Sequence, residues 1–180
     1  MEDLSLHILD IVENSIAAGA NRVEIRIVED TGKDILSVEI RDNGKGMSEE
    51  IIRKAVDPFY TTRTTRRVGL GLSLLSQSAK EADGDMTITS KKGEGTIVTA
   101  YLRHSHIDRK PLGNIVDTLC VLIVGNPDID LFYEHRVDSN IYSIDTREIK
   151  EELGDIPLSS PDVIEAIRKD IQNGLKILLS

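Results

Sequence analysis

Asp10 and Asn14 stand four residues apart in a stretch of helical periodicity, so a carboxylate and an amide share one face, one turn apart. Such a pair suits an oxygen-preferring Mg²⁺ with a water or hydroxyl beside it, and equally an ordinary solvated helix face. Asp42-Asn43-Gly44-Lys45-Gly46-Met47 is a second cluster. An aspartate at a strand end can accept a hydrogen bond from an adenine amino group, and the glycines let the backbone approach a flat ring; a simple turn has the same composition. The third is Asp57-Pro58-Phe59-Tyr60-Thr61-Thr62-Arg63, followed by Thr64, Thr65, Arg66 and Arg67. No acid occurs between Pro58 and Lys80 in a chain of net charge −9. A hydroxyl-rich basic lid suits a polyphosphate, and a solvated basic loop is the plain alternative. The fourth, Gly69-Leu70-Gly71-Leu72-Ser73, opens a helix whose free amides and dipole favour an anion. It is neither a P-loop, since no Gly-Lys-Ser/Thr follows, nor a dinucleotide fingerprint.

These groups need elements to position them. Leu4, Ile8, Ile11, Val12 and Ile16 form one apolar face of a helix over 4–18, with His7, Asp10, Asn14 and Ala17 opposite and Gly19 as its stop. Residues 23–28 and 35–41 alternate like half-buried strands; Ser48 caps a short helix over 49–54, and another helix runs from Gly69 to about Ala82. Strands over 86–90 and 96–102 follow, joined by Lys92-Gly93-Glu94-Gly95. The order predicts an α/β (α+β) two-layer sandwich, a mixed or antiparallel sheet backed by helices, and does not alternate as a Rossmann unit does. The pattern loosens near 105–113, which predicts a domain over 1–104 and a small C-terminal α/β extension over 105–180. In the extension, 118–124, 131–137 and 140–145 read as strands, and Ser160-Pro161 opens a final helix.

With 180 residues the chain can bury a substantial core. Its negative charge argues against nucleic acid and anionic membranes as partners, since both require excess Lys and Arg. Cys120 is the single cysteine, so an internal disulfide is excluded, and it reads as a small buried hydrophobe. No apolar stretch reaches the roughly 20 residues of a membrane span, and a cytoplasmic protein is expected.

The four clusters, in this order, resemble the N, G1, F and G2 boxes of the GHKL superfamily: gyrase, a heat-shock chaperone, histidine kinases and MutL. Ile11-Val12-Glu13-Asn14-Ser15 with Ala18-Gly19-Ala20 is similar to the MutL N box. The lid and Gly69-Leu70-Gly71-Leu72-Ser73-Leu74 look more like a histidine-kinase catalytic domain, and Gly93-Glu94-Gly95-Thr96 is similar to the Gly-x-Gly-Thr element behind adenine. The resemblance spans about residues 4–102 and implies a Bergerat ATP-binding fold taking ATP and Mg²⁺. It implies Asn14 as the Mg²⁺ ligand, Asp42 on adenine N6 with Thr96 in support, and Gly44 and Gly46 shaping the base pocket. Gly69 and Gly71 would meet the phosphates, with Arg63 as the lid cation. Met47, Phe59, Thr62, Leu70 and Leu72 complete the implied nucleotide set.

The sequence departs from the family at several points. Where MutL and gyrase place a catalytic Glu stands Asp10, one methylene shorter, and Ala17 replaces the Asp before Ala-Gly. The lid lacks the glycines common in histidine kinases. The first helix begins near residue 1, so a stand-alone domain without a phosphoacceptor hairpin is expected, and His7 is read as structural or solvent-facing. His104 and His106 could ligate a metal together only with a third ligand. Three functions follow as expectations. The first is a kinase-like regulator (histidine or serine kinase, or anti-sigma-factor type) acting on a protein partner or phosphoacceptor. The second is a nucleotide-switched ATPase of the MutL or chaperone kind, compatible with a homodimer, and the third a non-catalytic ATP sensor.

Overall fold

The structure is a computed structural model that describes residues 3–57 and 70–180. The expected lid residues Phe59, Thr62 and Arg63, and Gly69 at the start of the glycine pair, lie outside the described residues.

Helix α1 (Leu4–Ala17) starts where Asp3 accepts from the Leu6 amide and ends at Ala18, followed by Gly19 at φ 86°. Strands β1 (Arg22–Asp30) and β2 (Ile35–Asp42) come next. Helix α2 (Glu49–Ala55) is capped by Ser48, with Glu49 and Glu50 at its positive end. Helix α3 (Leu70–Glu81) and strands β3 (Asp85–Lys91) and β4 (Gly95–Arg103) close the expected set. Then follow α4 (Ile115–Gly125), β5 (Asp130–Val137), β6 (Asn140–Asp145), α5 (Thr146–Leu153) and α6 (Pro161–Leu178).

Among the described residues the strands form one mixed sheet in the order β3-β4-β2-β1-β5-β6, antiparallel throughout except for the parallel pairing of β1 with β5. Alternation decides its two faces. Val23, Ile25, Ile27, Leu36, Val38, Ile40, Val98, Ala100 and Leu102 point into a single core shared with α1, α3, α4 and α6. The opposite face carries charges: Arg26 bonds Glu24 at 2.6 Å, and Arg22 and Arg26 lie 5.9 and 4.9 Å from the Phe132 ring centre. One helix layer on one sheet face is the two-layer sandwich that the element order predicts.

The segment from residue 105 onward continues this sheet. Strand β5 lies beside β1 from Arg22↔Asp130 to Glu29↔Val137, and α4 and α6 add Leu119, Ile123, Ile171 and Leu175 to the same core. One expectation fails here: 118–124 belongs to helix α4, not to a strand. An unbroken apolar run fits a strand or a buried helix, and the deciding feature lies upstream, where the Asn114 side chain accepts from the Asp117 amide at 3.0 Å. Helix α4 buries Leu119, Leu122 and Ile123 beside α1 and α6, while its exposed side carries Val121 and Val124, so both sides are apolar. Cys120 is 2 % exposed, and burial pushes its thiol up. Helix α5, too polar and short to announce itself, was not foreseen; Asp145 caps it.

Candidate functional site

Between α1, the inner face of the β2–β4 sheet, α2 and α3 lies a cavity of about 430 Å³. Its walls are Ile11, Asn14, Ser15, Ala17, Ala18, Ile40, Asp42, Lys45, Gly46, Met47, Ile51, Ala55, Leu72, Thr96 and Val98. It is apolar with a few converging polar groups, the make-up of a small-molecule site. A second hollow lies on the opposite sheet face, but its Arg22 and Glu24 are paired with each other at 3.4 Å.

The polar end is built by sheet register. Asp42, the last residue of β2, stands opposite Thr96 on β4, which stands opposite Ser90 on β3. Both carboxylate oxygens of Asp42 are held: Oδ2 accepts from the Ser15 hydroxyl at 2.6 Å and Oδ1 from the Gly44 amide at 2.9 Å. Ser15 is placed for this by α1, one residue beyond Asn14. The glycine loop is pressed onto the β3–β4 hairpin, and Gly46 is there at φ 74° with an added Cβ only 2.0 Å from the Lys91 carbonyl oxygen. Only glycine combines that conformation with that approach.

At the other end α1 carries Asn14 and Asp10. The Asn14 Nδ2 is buried and has no hydrogen-bond partner among the described residues. An amide left unpaired at a cavity wall is costly unless a ligand meets it, and an asparagine there can offer its oxygen to a cation while its nitrogen donates to an anion. The unpaired nitrogen therefore fits an anion such as a phosphate group, and the Asn14 oxygen is the atom that would face Mg²⁺. Asp10 does not line the cavity; it sits where α1 crosses the start of α3, and a Cβ added to Gly71 would lie 2.8 Å from the Asp10 Cβ and 3.2 Å from the His7 carbonyl oxygen. Close approach, more than turn geometry, is what this helical glycine supplies.

Of the sequence-predicted residues, Asn14, Asp42, Gly46, Met47, Leu72 and Thr96 line the cavity together. Gly44 acts from behind through its amide, while Leu70 and Gly71 form the adjacent opening turn of α3. His7, placed on the polar face by periodicity, is 1 % exposed, with neither ring nitrogen partnered among the described residues, and burial lowers its pKa. His104 and His106 do not converge: His104 meets Glu29 at 3.0 Å and His106 meets Asp83 at 3.5 Å. Among the described residues no three His, Cys, Asp or Glu side chains gather as a metal-binding group, and no helix is long and apolar enough to cross a membrane.

Sequence reasoning missed Ser15, Asn43 and Ser90. Asn43 accepts from the Asn21 and Arg22 amides and ties the glycine loop to the start of β1. The symmetry of 90 and 96 about Gly93 is a signal that would have found Ser90.

Comparison with known proteins follows this geometry. The N-terminal domain of a DNA repair protein, solved by crystallography, superimposes with a TM-score of 0.52 at 18 % identity, covering 81 % of this chain and 52 % of that one. At that identity the likeness is one of fold. The tetrathionate sensor histidine kinase TtrS of Salmonella typhimurium is 31 % identical over 101 residues, 54 % of this chain and 17 % of the relative. The sensor histidine kinase YvrG of Bacillus subtilis is 28 % identical over 98 residues, 52 % of this chain and 17 % of the relative. The chain thus spans less than a fifth of the length of these curated relatives. The profile of one ATPase family matches residues 2–106, the segment that carries α1 to β4 and every wall of the cavity. By that match the chain belongs to the histidine kinase-, DNA gyrase B- and HSP90-like ATPase family.

Proposed function

We propose that the chain binds Mg-ATP in the α1–sheet cavity and uses it as a kinase-like cytoplasmic regulator of a protein partner. The observation that carries the reading is Asp42: a carboxylate fixed by Ser15 and Gly44 at the closed end of an apolar cavity of purine size. Asp42 would accept from the adenine amino group, Met47, Ile51, Val98 and Leu72 would cover the ring, and Asn14 would hold the metal. Mg²⁺, when bound, offsets phosphate charge. Asp10, which lies beside the start of α3, would take a proton from a nucleophile. The sensor-kinase relatives support phosphate transfer to a partner.

Calorimetric titration with Mg-ATP tests the pocket: Asp42→Asn turns one acceptor into a donor and should reduce affinity at least tenfold. Undiminished affinity would overturn the assignment. Incubation with γ-labelled ATP and a co-purifying partner tests the transfer. Persistent ATP binding with no labelled partner would reject the kinase.

A nucleotide-switched ATPase of the MutL or chaperone kind is the second reading. One contact chain favours it: α3 bears on Asp10 through Gly71, and α1 continues to α4 through the Thr118 hydroxyl on the Ser5 carbonyl oxygen at 3.4 Å. Ordering at the start of α3 would then be passed to the C-terminal helices, and ATP should change the assembled mass. Function retained after Asp10→Asn would leave the non-catalytic sensor.

A further inference from the structure

We infer that Ser90, on the edge strand β3, fixes the proton on Thr96 and thereby makes the closed end of the cavity a wall of acceptors that selects a 6-amino purine over a 6-oxo purine. This deepens the ATP reading and rests on it.

The argument is proton counting. Ser90 Oγ receives the Met47 amide at 2.8 Å, lies 3.0 Å from the Gly95 carbonyl oxygen and 2.8 Å from Thr96 Oγ1. The Met47 N–H can only donate and the carbonyl can only accept, while each hydroxyl has one proton to give. If Ser90 donates to Gly95, Thr96 must donate to Ser90, and all three contacts are hydrogen bonds. If Ser90 donates to Thr96 instead, its 3.0 Å approach to the Gly95 oxygen becomes a contact between lone pairs. The first arrangement therefore holds. It spends the Thr96 proton on Ser90 and leaves the hydroxyl oxygen of Thr96, a cavity-wall residue that is 8 % exposed, with lone pairs only.

Beside Thr96 in the register stands Asp42, whose carboxylate also only accepts. Ser90, Thr96 and Asp42 thus form one row across three strands. Two acceptors side by side match the two N–H bonds of an exocyclic amine. A 6-oxo group in the same place brings a third acceptor, and a buried polar site that cannot pair rejects the wrong partner far more strongly than a change of shape does. Ser90 does not touch the base. It is a positioning residue, acting through Thr96.

The test compares Mg-ATP with Mg-ITP, which differ at C6, by calorimetric titration of the full chain. In Ser90→Ala the Thr96 proton is free to turn toward the cavity, and the ATP-to-ITP affinity ratio should fall about tenfold, mostly by a loss on the ATP side. Ser90→Thr restores the hydroxyl and should keep the ratio within about twofold of the parent. Thr96→Val removes the acceptor by another route and should lower the ratio to the same degree; combined with Ser90→Ala it should lower it no further. A merely structural role for Ser90 predicts parallel weakening of both nucleotides. An unchanged ratio in Ser90→Ala or Thr96→Val, with ATP still bound, overturns the inference and leaves the ATP site standing. If the parent chain binds neither nucleotide, the ATP reading itself falls, and this inference with it.

Discussion

Acid should loosen a tie between the middle of the sheet and its C-terminal strands, and Glu29 is where it acts. Near the end of β1, Glu29 accepts from His135 Nε2 at 2.7 Å and from His104 Nε2 at 3.0 Å. Behind it, His135 Nδ1 lies 3.0 Å from the buried Tyr133 hydroxyl. The hydrogen bond from His135, helped by that from His104 and opposed by burial, holds the Glu29 carboxyl down at about 2 against an ordinary 4.5. A depressed folded value contributes stability that is whole above the unfolded one and is lost as pH falls through the folded one. The window therefore runs from 4.5 down to about 2. The full difference corresponds to about 3 kcal/mol, and solvent at this partly exposed side chain reduces the expected share to about 1–2 kcal/mol. Other carboxylates titrate in the same range, so the assay is a difference: urea unfolding of the parent and of Glu29→Gln, each at about pH 6 and about pH 3. Glutamine does not titrate, so the stability gap between the two should narrow by about 1 kcal/mol at about pH 3, which crosses only part of the window. A gap that stays constant would refute the account of Glu29, since the two histidines would then be holding a carboxylate without preferring its charged form.

Gly46→Ala should destabilise the chain by about 2–4 kcal/mol, since its methyl group meets the Lys91 carbonyl at a φ that suits glycine, and should weaken any ligand held by Met47. Denaturant unfolding alongside calorimetry checks both, and a parent-like midpoint would show that the loop stands off the hairpin. Asp145 accepts from both terminal nitrogens of Arg22, at 3.3 and 3.2 Å, and caps α5 through the Arg147 amide at 3.0 Å. Asp145→Ala should cost about 1–2 kcal/mol in urea unfolding, and a cost near zero would mean that neither contact is formed in solution.

The parts of the fold legible in the sequence were those decided locally. Val23, Ile25 and Ile27 alternate because β1 has one wet face, and Leu4, Ile8, Ile11 and Val12 recur at helical spacing because α1 lies on one core. What could not be read depends on distant chain. The run 118–124 does have a wet side, at Val121 and Val124, but that side is as apolar as the buried one, so no periodicity marks it as a helix. The parallel partnership of β1 with β5 joins segments more than a hundred residues apart, and nothing in either strand announces the other. Of the two readings of His7, structural or solvent-facing, burial selects the first, because α3 crosses α1 at Gly71 and covers a face that periodicity alone leaves open.

The site divides along the same line. Asn14 and Asp42 are legible because chemistry can be argued from their types and spacing, while Thr96 is legible only through the resemblance of Gly93-Glu94-Gly95-Thr96 to the Gly-x-Gly-Thr element. Ser15, Ser90 and Glu29 are ordinary residues in the sequence, and their roles come from what they stand opposite. Ser15 gains its role because α1 crosses the end of β2 within 2.6 Å of Asp42, and Ser90 because the hairpin register sets it against Thr96. The consequence is directional. The residue that touches a base is legible from its own chemistry, whereas the residue that decides which proton that base will meet is fixed by register, one strand further out. With a purine in the cavity, as proposed, selectivity would follow the row Ser90–Thr96–Asp42 as a unit, and a substitution at its silent outer member should alter the choice of purine while leaving every wall of the cavity in place.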